Sequence, residues 1–224
     1  MMSANKITPK NLLNHGKNKN IITLENLLDK ATTDNVSDAM KKVCGKNGVI
    51  RDVKPIDGKS KIVGRIRTAQ TNSSDWGTGI KAIYECEENE ILLIDCSDDE
   101  TAIWGELASQ AAQKHGLQST VINGASRDTE GIKKLGYPLF SKATMPNAGY
   151  ALNNGVINKP LNIEGNIIVN GDYIVGDSEG VVVVPKERID EVLEEVSNIK
   201  KSEQKLMAQM NDPANRMDKL LDIN

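Results

Sequence analysis

The chain has 224 residues, and 28 Lys and Arg stand against 31 Asp and Glu, a formal net charge of −3. This balance argues against a protein that coats nucleic acid or a membrane surface, because both need a basic excess. Hydrophobic residues make up 38% and charged residues 26%, which is too apolar for a disordered chain. No apolar run reaches the roughly 18 residues of a membrane helix, and residues 1–20 lack the apolar core of a signal peptide.

Cysteine and histidine are scarce. The three cysteines, Cys44, Cys86 and Cys96, are odd in number and show no C-x-x-C spacing, so neither a disulfide framework nor a zinc ribbon is expected. The two histidines, His15 and His115, are too few for a His-rich metal centre. We therefore expect a globular protein of the cytoplasm.

The first two thirds of the chain alternate between helix and strand patterns. Helices are predicted over residues 24–31, 35–43 (capped by Thr33 or Asp34), 79–86, 100–116 and 127–136. Strands are predicted over residues 61–71, 90–95, 119–124 and 138–144. This alternation favours βαβ units and a sheet that is at least partly parallel.

From about residue 150 the pattern changes to strands and turns. Asn-Gly pairs at 154–155 and 170–171 predict tight reverse turns. Pro185 and Lys186 then lead into a long helix through Met210 with an apolar stripe at helical spacing. Glu203 falls on that stripe, either where the helix leaves the body or where it reaches a neighbouring subunit's site. We predict one α/β domain with a C-terminal helical arm.

The most informative residues are Gly105 and the pair Arg127-Asp128. Gly105 stands where a helix begins, and the first backbone N–H groups of a helix can hold a carboxylate or phosphate. Arg127 and Asp128 follow a predicted strand, at the end where α/β sheets bind ligands. The Arg fork pairs with a carboxylate and the Asp offers a hard oxygen to Mg²⁺, which suits a metal-bound keto acid. The alternative is a surface ion pair in which Asp128 caps the next helix.

Two further candidates have simpler interpretations. The acidic run over residues 95–100 could ligate a metal, but a solvated loop that caps the next helix is favoured. Cys96 has no neighbour in sequence that would lower its pKa, so we interpret it as structural.

The segment GELASQAAQKHGLQSTVINGASRD, residues 105–128, resembles the RraA-like family. That family contains the class II 4-hydroxy-4-methyl-2-oxoglutarate aldolases and the regulator of ribonuclease activity A. Further matches lie at residues 32–40, 64–71, 91–96, 137–149 and 176–185. Family aldolases carry an acidic residue, twenty residues and then Arg-Asp; here these are Glu106, Arg127 and Asp128. The acid is Glu rather than Asp, and Asn123 stands where the family usually has Asp.

The resemblance implies a single swivelling β/β/α-type domain in a homotrimer or a dimer of trimers, with sites between adjacent subunits. That domain would span residues 23–185, after a polar segment over 1–22 and before a C-terminal helix and tail over 186–224. No nucleic-acid or membrane partner is implied.

The resemblance also implies roles for individual residues. Arg127 would bind the carboxylate and keto oxygen of pyruvate, and Asp128 would ligate Mg²⁺ or Mn²⁺. Glu106 would hold water on the metal, and Glu203 matches by count an acidic residue that acts there from the next subunit. The substrate carboxylate would be received by backbone amides of residues Gly105, Glu106, Leu107 and Ala108.

The implied activity is a metal-dependent retro-aldolase that cleaves 4-hydroxy-2-oxo dicarboxylates to pyruvate. Oxaloacetate decarboxylation is a related activity, because both reactions leave pyruvate enolate. The alternative is a non-catalytic trimer that binds a protein partner, as the ribonuclease regulator does. Retention of Glu106 with Arg127-Asp128 favours the enzyme, since a pure binding protein does not need them.

Overall fold

A computed structural model of the chain describes residues 31–96 and 98–223. The polar segment 1–22 and nearly all of the helix predicted over 24–31 lie outside these residues. The helices are α1 (Thr33–Cys44), α2 (Gly77–Ile83), α3 (Glu106–His115), α4 (Thr129–Leu135), α5 (Ile189–Met210) and α6 (Met217–Leu220). The strands are β1 (Val49–Ile50), β2 (Lys54–Pro55), β3 (Ile62–Thr71), β4 (Ile91–Cys96), β5 (Ala102–Trp104), β6 (Ser119–Ser126), β7 (Leu139–Thr144), β8 (Val156–Ile157), β9 (Leu161–Ile163), β10 (Asn166–Ile168), β11 (Tyr173–Asp177) and β12 (Gly180–Val184).

Ten of the strands form one mixed sheet. Its order is β1-β12-β11-β3-β4-β6-β7-β2, with β5 added beside β6 and β8 beside β3. The central strands β3, β4, β6 and β7 run parallel, and the strands on either side of them are antiparallel. All six residues of β4 are buried, as expected for a parallel strand covered on both faces. The predicted partly parallel α/β sheet is confirmed.

Three apolar clusters hold the layers together. One lies between the two parts of the curled sheet and includes Leu93, Phe140 and Val183. A second joins the parallel strands to α2, α3 and α4, and a third joins β11 and β12 to α1 and α5. The predicted α/β domain is confirmed, with helices against both parts of the sheet: α2–α4 against the parallel strands, and α1 with α5 against β11 and β12.

The C-terminal helical arm is also confirmed. A short 3₁₀ turn at Lys186–Arg188 leads into α5, whose first half buries Val192 and Val196 against the body. Near the end of the helix Met207 and Met210 are exposed. Within the part of the chain that the structure describes, no helix has the length and apolar character needed to cross a membrane.

The helix predicted over residues 100–116 is wrong in its first part. Residues 102–104 form β5, which pairs with β6, and α3 begins only at Glu106. The side chains of β5 are all buried, so the pairing with a distant strand overrides the local helical pattern. The end of the helix was predicted correctly, because Gly116 adopts the left-handed conformation that stops it.

Two local predictions are corrected as well. The cap residue of α1 is Thr32, not Thr33 or Asp34, and Asp177 of β11 accepts hydrogen bonds from the Thr33 N–H and hydroxyl instead. The Asn-Gly pair at 154–155 makes no hairpin turn, because its two N–H groups are bound by the side chains of Asp75 and Thr78.

Candidate active site

The candidate site forms where β5 and β6 end side by side. Trp104 on β5 is the register partner of Ser126 on β6, and the Arg127 N–H donates to the Trp104 carbonyl at 2.9 Å. The next residues, Gly105 and Asp128, are therefore brought together, each at the start of a helix. The sheet thus places the beginning of α3 beside the Arg127-Asp128 turn.

Gly105 allows the two turns to touch. A Cβ built on Gly105 would lie 2.5 Å from Asp128 Oδ2 and 3.4 Å from Arg127 Cγ, so a larger residue would displace the carboxylate. The same Oδ2 accepts a long hydrogen bond from the Glu106 N–H, at 3.4 Å. Asp128 is thereby held against the first turn of α3.

Asp128 has an unusual backbone. Its φ of 56° lies in the left-handed region, which is uncommon outside glycine and is often found at functional sites. Its carboxylate makes no capping hydrogen bond to α4, so that part of the alternative interpretation is not what the structure shows. The surface ion pair of that alternative is present, because Oδ2 lies 3.5 Å from Arg127 Nε and both side chains are nearly half exposed. A ligand can therefore reach both groups.

Glu106 completes the group. Its side chain crosses the first turn of α4, where a Cβ on Gly131 would overlap its carboxyl group. Within the described residues the Glu106 carboxylate has no hydrogen-bond or ion-pair partner. Leu107 is exposed and Ala108 is buried, and their N–H groups belong to the first turn of α3, where intrahelical partners are lacking. Carboxylates, a guanidinium and backbone donors thus share one surface.

Glu203 is placed elsewhere in the chain. Its half-buried carboxylate accepts hydrogen bonds from Asn35 Nδ2 at 3.3 and 3.4 Å, which links α5 to α1. It is not a hydrogen-bond partner of Arg127 or Asp128 within the described residues. Its role at a neighbouring subunit's site stays a prediction.

Asp95 is a buried structural carboxylate, although it was predicted both as the last residue of strand 90–95 and as the first residue of a solvated acidic run. It ends β4, and its two oxygens accept hydrogen bonds from Asn123 Nδ2 at 2.8 Å and Gln70 Nε2 at 3.1 Å. These three residues are register partners on β3, β4 and β6. The sequence signal for this buried carboxylate was an acidic residue at the end of an apolar strand. Asn123, which stands where the family usually has Asp, donates a hydrogen bond to it.

Asp75 was also missed from the sequence. It is fully buried, and its carboxylate accepts hydrogen bonds from both the N–H and the hydroxyl of Thr78, from the Thr71 hydroxyl and from the Asn154 N–H. Burial alone would raise the pKa of Asp75, but these hydrogen bonds outweigh it and lower the pKa. The residue fixes the start of α2 to the loop that precedes β8.

The Cys96 thiol, at the end of β4, lies in surroundings that disfavour its thiolate form. Cys96 is buried, and burial raises the pKa of its thiol to about 11. A thiol with so high a pKa supplies almost no thiolate at neutral pH. This agrees with the interpretation of Cys96 as structural.

Comparisons with known proteins identify the family of the chain. The RraA-like family model, described as Aldolase/RraA, matches residues 33–183. The chain belongs to the RraA-like family. The match includes Glu106, Arg127 and Asp128.

Three proteins that are similar to the chain carry different names. The chain is 40% identical over 185 residues to the uncharacterized protein MJ0644 of Methanocaldococcus jannaschii, covering 81% of this chain and 86% of that protein. It is 35% identical over 160 residues to a Halalkalibacterium halodurans protein provisionally named 4-hydroxy-4-methyl-2-oxoglutarate aldolase, covering 71% and 75%. The structure of the RNA-processing inhibitor RraA from Thermus thermophilis superposes with a TM-score of 0.54 at 24% identity, covering 62% and 84%. The last comparison bears on the fold alone.

Proposed function

We propose that the protein is a divalent-metal-dependent lyase that releases pyruvate from 4-hydroxy-2-oxo dicarboxylates such as 4-hydroxy-4-methyl-2-oxoglutarate. Oxaloacetate decarboxylation is a second reaction of the same site. The observation that carries the proposal is the left-handed Asp128, whose carboxylate lies against Gly105 and Arg127 and is open to solvent. The aldolase name of the Halalkalibacterium halodurans relative supports it.

The residues of the candidate site could bind a metal ion together with oxygen atoms of the substrate. The described residues contain no cluster of three or more His, Cys, Asp or Glu side chains arranged to hold a metal ion. Mg²⁺ is, however, often bound through one or two carboxylates together with substrate oxygens and water. Asp128 supplies one such half-exposed carboxylate. When bound, Mg²⁺ or Mn²⁺ would polarise the keto group as a Lewis acid.

The other groups of the site have distinct tasks. Arg127 pairs with the carboxylate and keto oxygen of the substrate and stabilises the negative charge that develops on that oxygen. The N–H groups of Leu107 and Ala108 receive the substrate carboxylate at the beginning of α3. Together these contacts orient the bond between C3 and C4 for cleavage.

Glu106 moves the proton. A water held by its carboxylate takes the proton of the C4 hydroxyl as the bond between C3 and C4 breaks. The bonding electrons pass to C3 and form the enolate of pyruvate, while C4 becomes the carbonyl of the second product. Protonation of the enolate at C3 then gives pyruvate.

Assembly and location are part of the same proposal. We propose a homotrimer or hexamer, in which the exposed apolar side chains of Met207 and Met210 are covered and Glu203 acts at a neighbouring site. The three cysteines are free, which fits a reducing cytoplasm.

The second candidate is a non-catalytic regulator that binds a protein. The likeness in fold to the RNA-processing inhibitor RraA supports it. The convergence of Glu106, Arg127 and Asp128 favours the enzyme, because a binding surface has no need of this set.

The two candidates are separated by assaying pyruvate and by capturing partners with the same preparation. The lyase is expected to form pyruvate from at least one of the two substrates and to lose this activity with a chelator. A stoichiometric protein partner, with no pyruvate from either substrate, would favour the regulator.

A further inference from the structure

The backbone conformation of Gly131 does not require glycine. It is the third residue of α4, and its φ is not positive. Glycine is a poor helix former, so alanine would be favoured at this position if nothing else occupied the space. The reason for glycine must therefore lie in a neighbour.

That neighbour is Glu106. A Cβ on Gly131 would overlap Oε2 and Cδ of Glu106 and would lie 3.1 Å from its Cγ. The Glu106 backbone is held separately, through its N–H to Asp128 Oδ2. The side chain thus starts beside Asp128 and ends over Gly131, along the first turn of α4.

We propose that Gly131 is a positioning residue for Glu106. Because Gly131 has no side chain, the Glu106 carboxylate can lie against α4, in the position from which it takes part in proton transfer. This inference rests on the proposed function. A Glu side chain has three rotatable bonds, and this one is exposed without a partner among the described residues. The open position at Gly131 gives the carboxylate a defined place beside the Arg127-Asp128 turn.

The geometry predicts opposite effects on stability and activity. In Gly131→Ala the added methyl collides only with the far end of a flexible, exposed side chain, which can rotate away. Alanine is also the better helix former, so the melting temperature should stay equal or rise. The displaced carboxylate should lower kcat by on the order of 10²-fold, the lower end of what a positioned acid–base group contributes.

The control and the rescue separate positioning from general damage. Lys134→Ala changes an exposed residue of the same helix and should leave kcat and melting temperature unchanged. Glu106→Asp shortens the acid, so its carboxylate no longer reaches Gly131. Combined with Gly131→Ala it should be more active than the product of the two single effects predicts, the sign of a direct interaction. Independent, multiplicative losses would overturn the proposal.

A crystal structure of Gly131→Ala tests the positioning without an assay. The expected result is a Glu106 carboxylate moved away from α4 with the backbone unchanged, and an unmoved carboxylate would overturn the inference. If the wild-type protein forms no pyruvate, the proposed function fails and so does the catalytic part of this inference. The crystal structure then still decides whether Gly131 positions Glu106.

Discussion

Asn123 donates a hydrogen bond from Nδ2 to Oδ1 of the buried Asp95, at 2.8 Å, across the paired ends of β6 and β4. Gln70 donates to the other oxygen from β3. A buried carboxylate is stable when its oxygens accept hydrogen bonds, and an amide can donate without adding charge. Asn123 therefore pairs with Asp95 without adding a second charge to this contact.

Asn123→Asp should make the stability depend on pH. Two carboxylates in contact cannot both ionise without repulsion, so the pKa of the pair rises above that of the unfolded chain. A raised pKa in the folded state means that stability is present at low pH and lost as the pH rises. We expect a loss of about 1–3 kcal/mol at pH 8 relative to pH 5, from urea unfolding at each pH. Asn123→Ala removes a donor to Asp95 but adds no charge, so its loss should change less between the two pH values than that of Asn123→Asp. An equal pH dependence of the two variants would contradict this reasoning.

Gly105→Ala should lower activity while it leaves the fold intact. The φ of Gly105 is −154°, an extended conformation that any residue adopts, so only the contact with Asp128 matters. The new Cβ would lie only 2.5 Å from Asp128 Oδ2, so the carboxylate would have to move. We expect kcat/KM to fall by about tenfold or more. Gln110→Ala, on the exposed face of the same helix, serves as the control. Full activity of Gly105→Ala would show that the position of Asp128 is not critical.

Arg127→Lys should not preserve function. Lysine keeps the charge but lacks the planar fork that binds a carboxylate through two parallel hydrogen bonds. We expect a KM for the oxo acid about tenfold higher and a lower kcat, with a larger loss in Arg127→Ala. Steady-state kinetics on oxaloacetate measure both constants. Unchanged constants in the lysine variant would remove Arg127 from the proposed role.

Asp75 should contribute stability that acid removes. Because its pKa in the folded state is lowered below the ordinary 3.8, its contribution is present above pH 3.8 and disappears as the pH falls through the folded pKa. In Asp75→Asn, buried hydroxyl groups would face an amide NH₂ that cannot accept their hydrogen bonds. Each unsatisfied group should lower the free energy of unfolding by about 1–3 kcal/mol. Urea unfolding should show a large difference from the wild type at pH 7 that narrows toward pH 3. A difference independent of pH would contradict the assignment.

The sequence was sufficient where a pattern is local or strongly periodic. The apolar run of β4 and the stripe of α5 predict buried elements, and the resemblance to the RraA-like family predicts that Glu106 shares a site with Arg127-Asp128. β5 could not be predicted, because its residues become a strand only by pairing with β6. The left-handed backbone of Asp128 likewise leaves no mark in the local sequence.

The hydrogen bonds of buried polar side chains could not be predicted from the sequence either. Asp95 ends a predicted strand and Asp75 lies between predicted elements, and neither position reveals the hydrogen-bond partners that come from other strands and loops. Gly131 did carry a signal, because a glycine inside a helical pattern often marks a close approach. What approaches it could be learned only from the structure.

The most direct measurement is pyruvate release from oxaloacetate and from 4-hydroxy-4-methyl-2-oxoglutarate, with Mg²⁺, with a chelator and with Asp128→Asn. Asparagine tolerates the left-handed backbone of residue 128 but removes the charge of the carboxylate, so the variant should fold. The account predicts metal-dependent pyruvate formation by the wild type and its loss in both the chelated sample and the variant. No pyruvate from either substrate, or equal rates in wild type and Asp128→Asn, would contradict it.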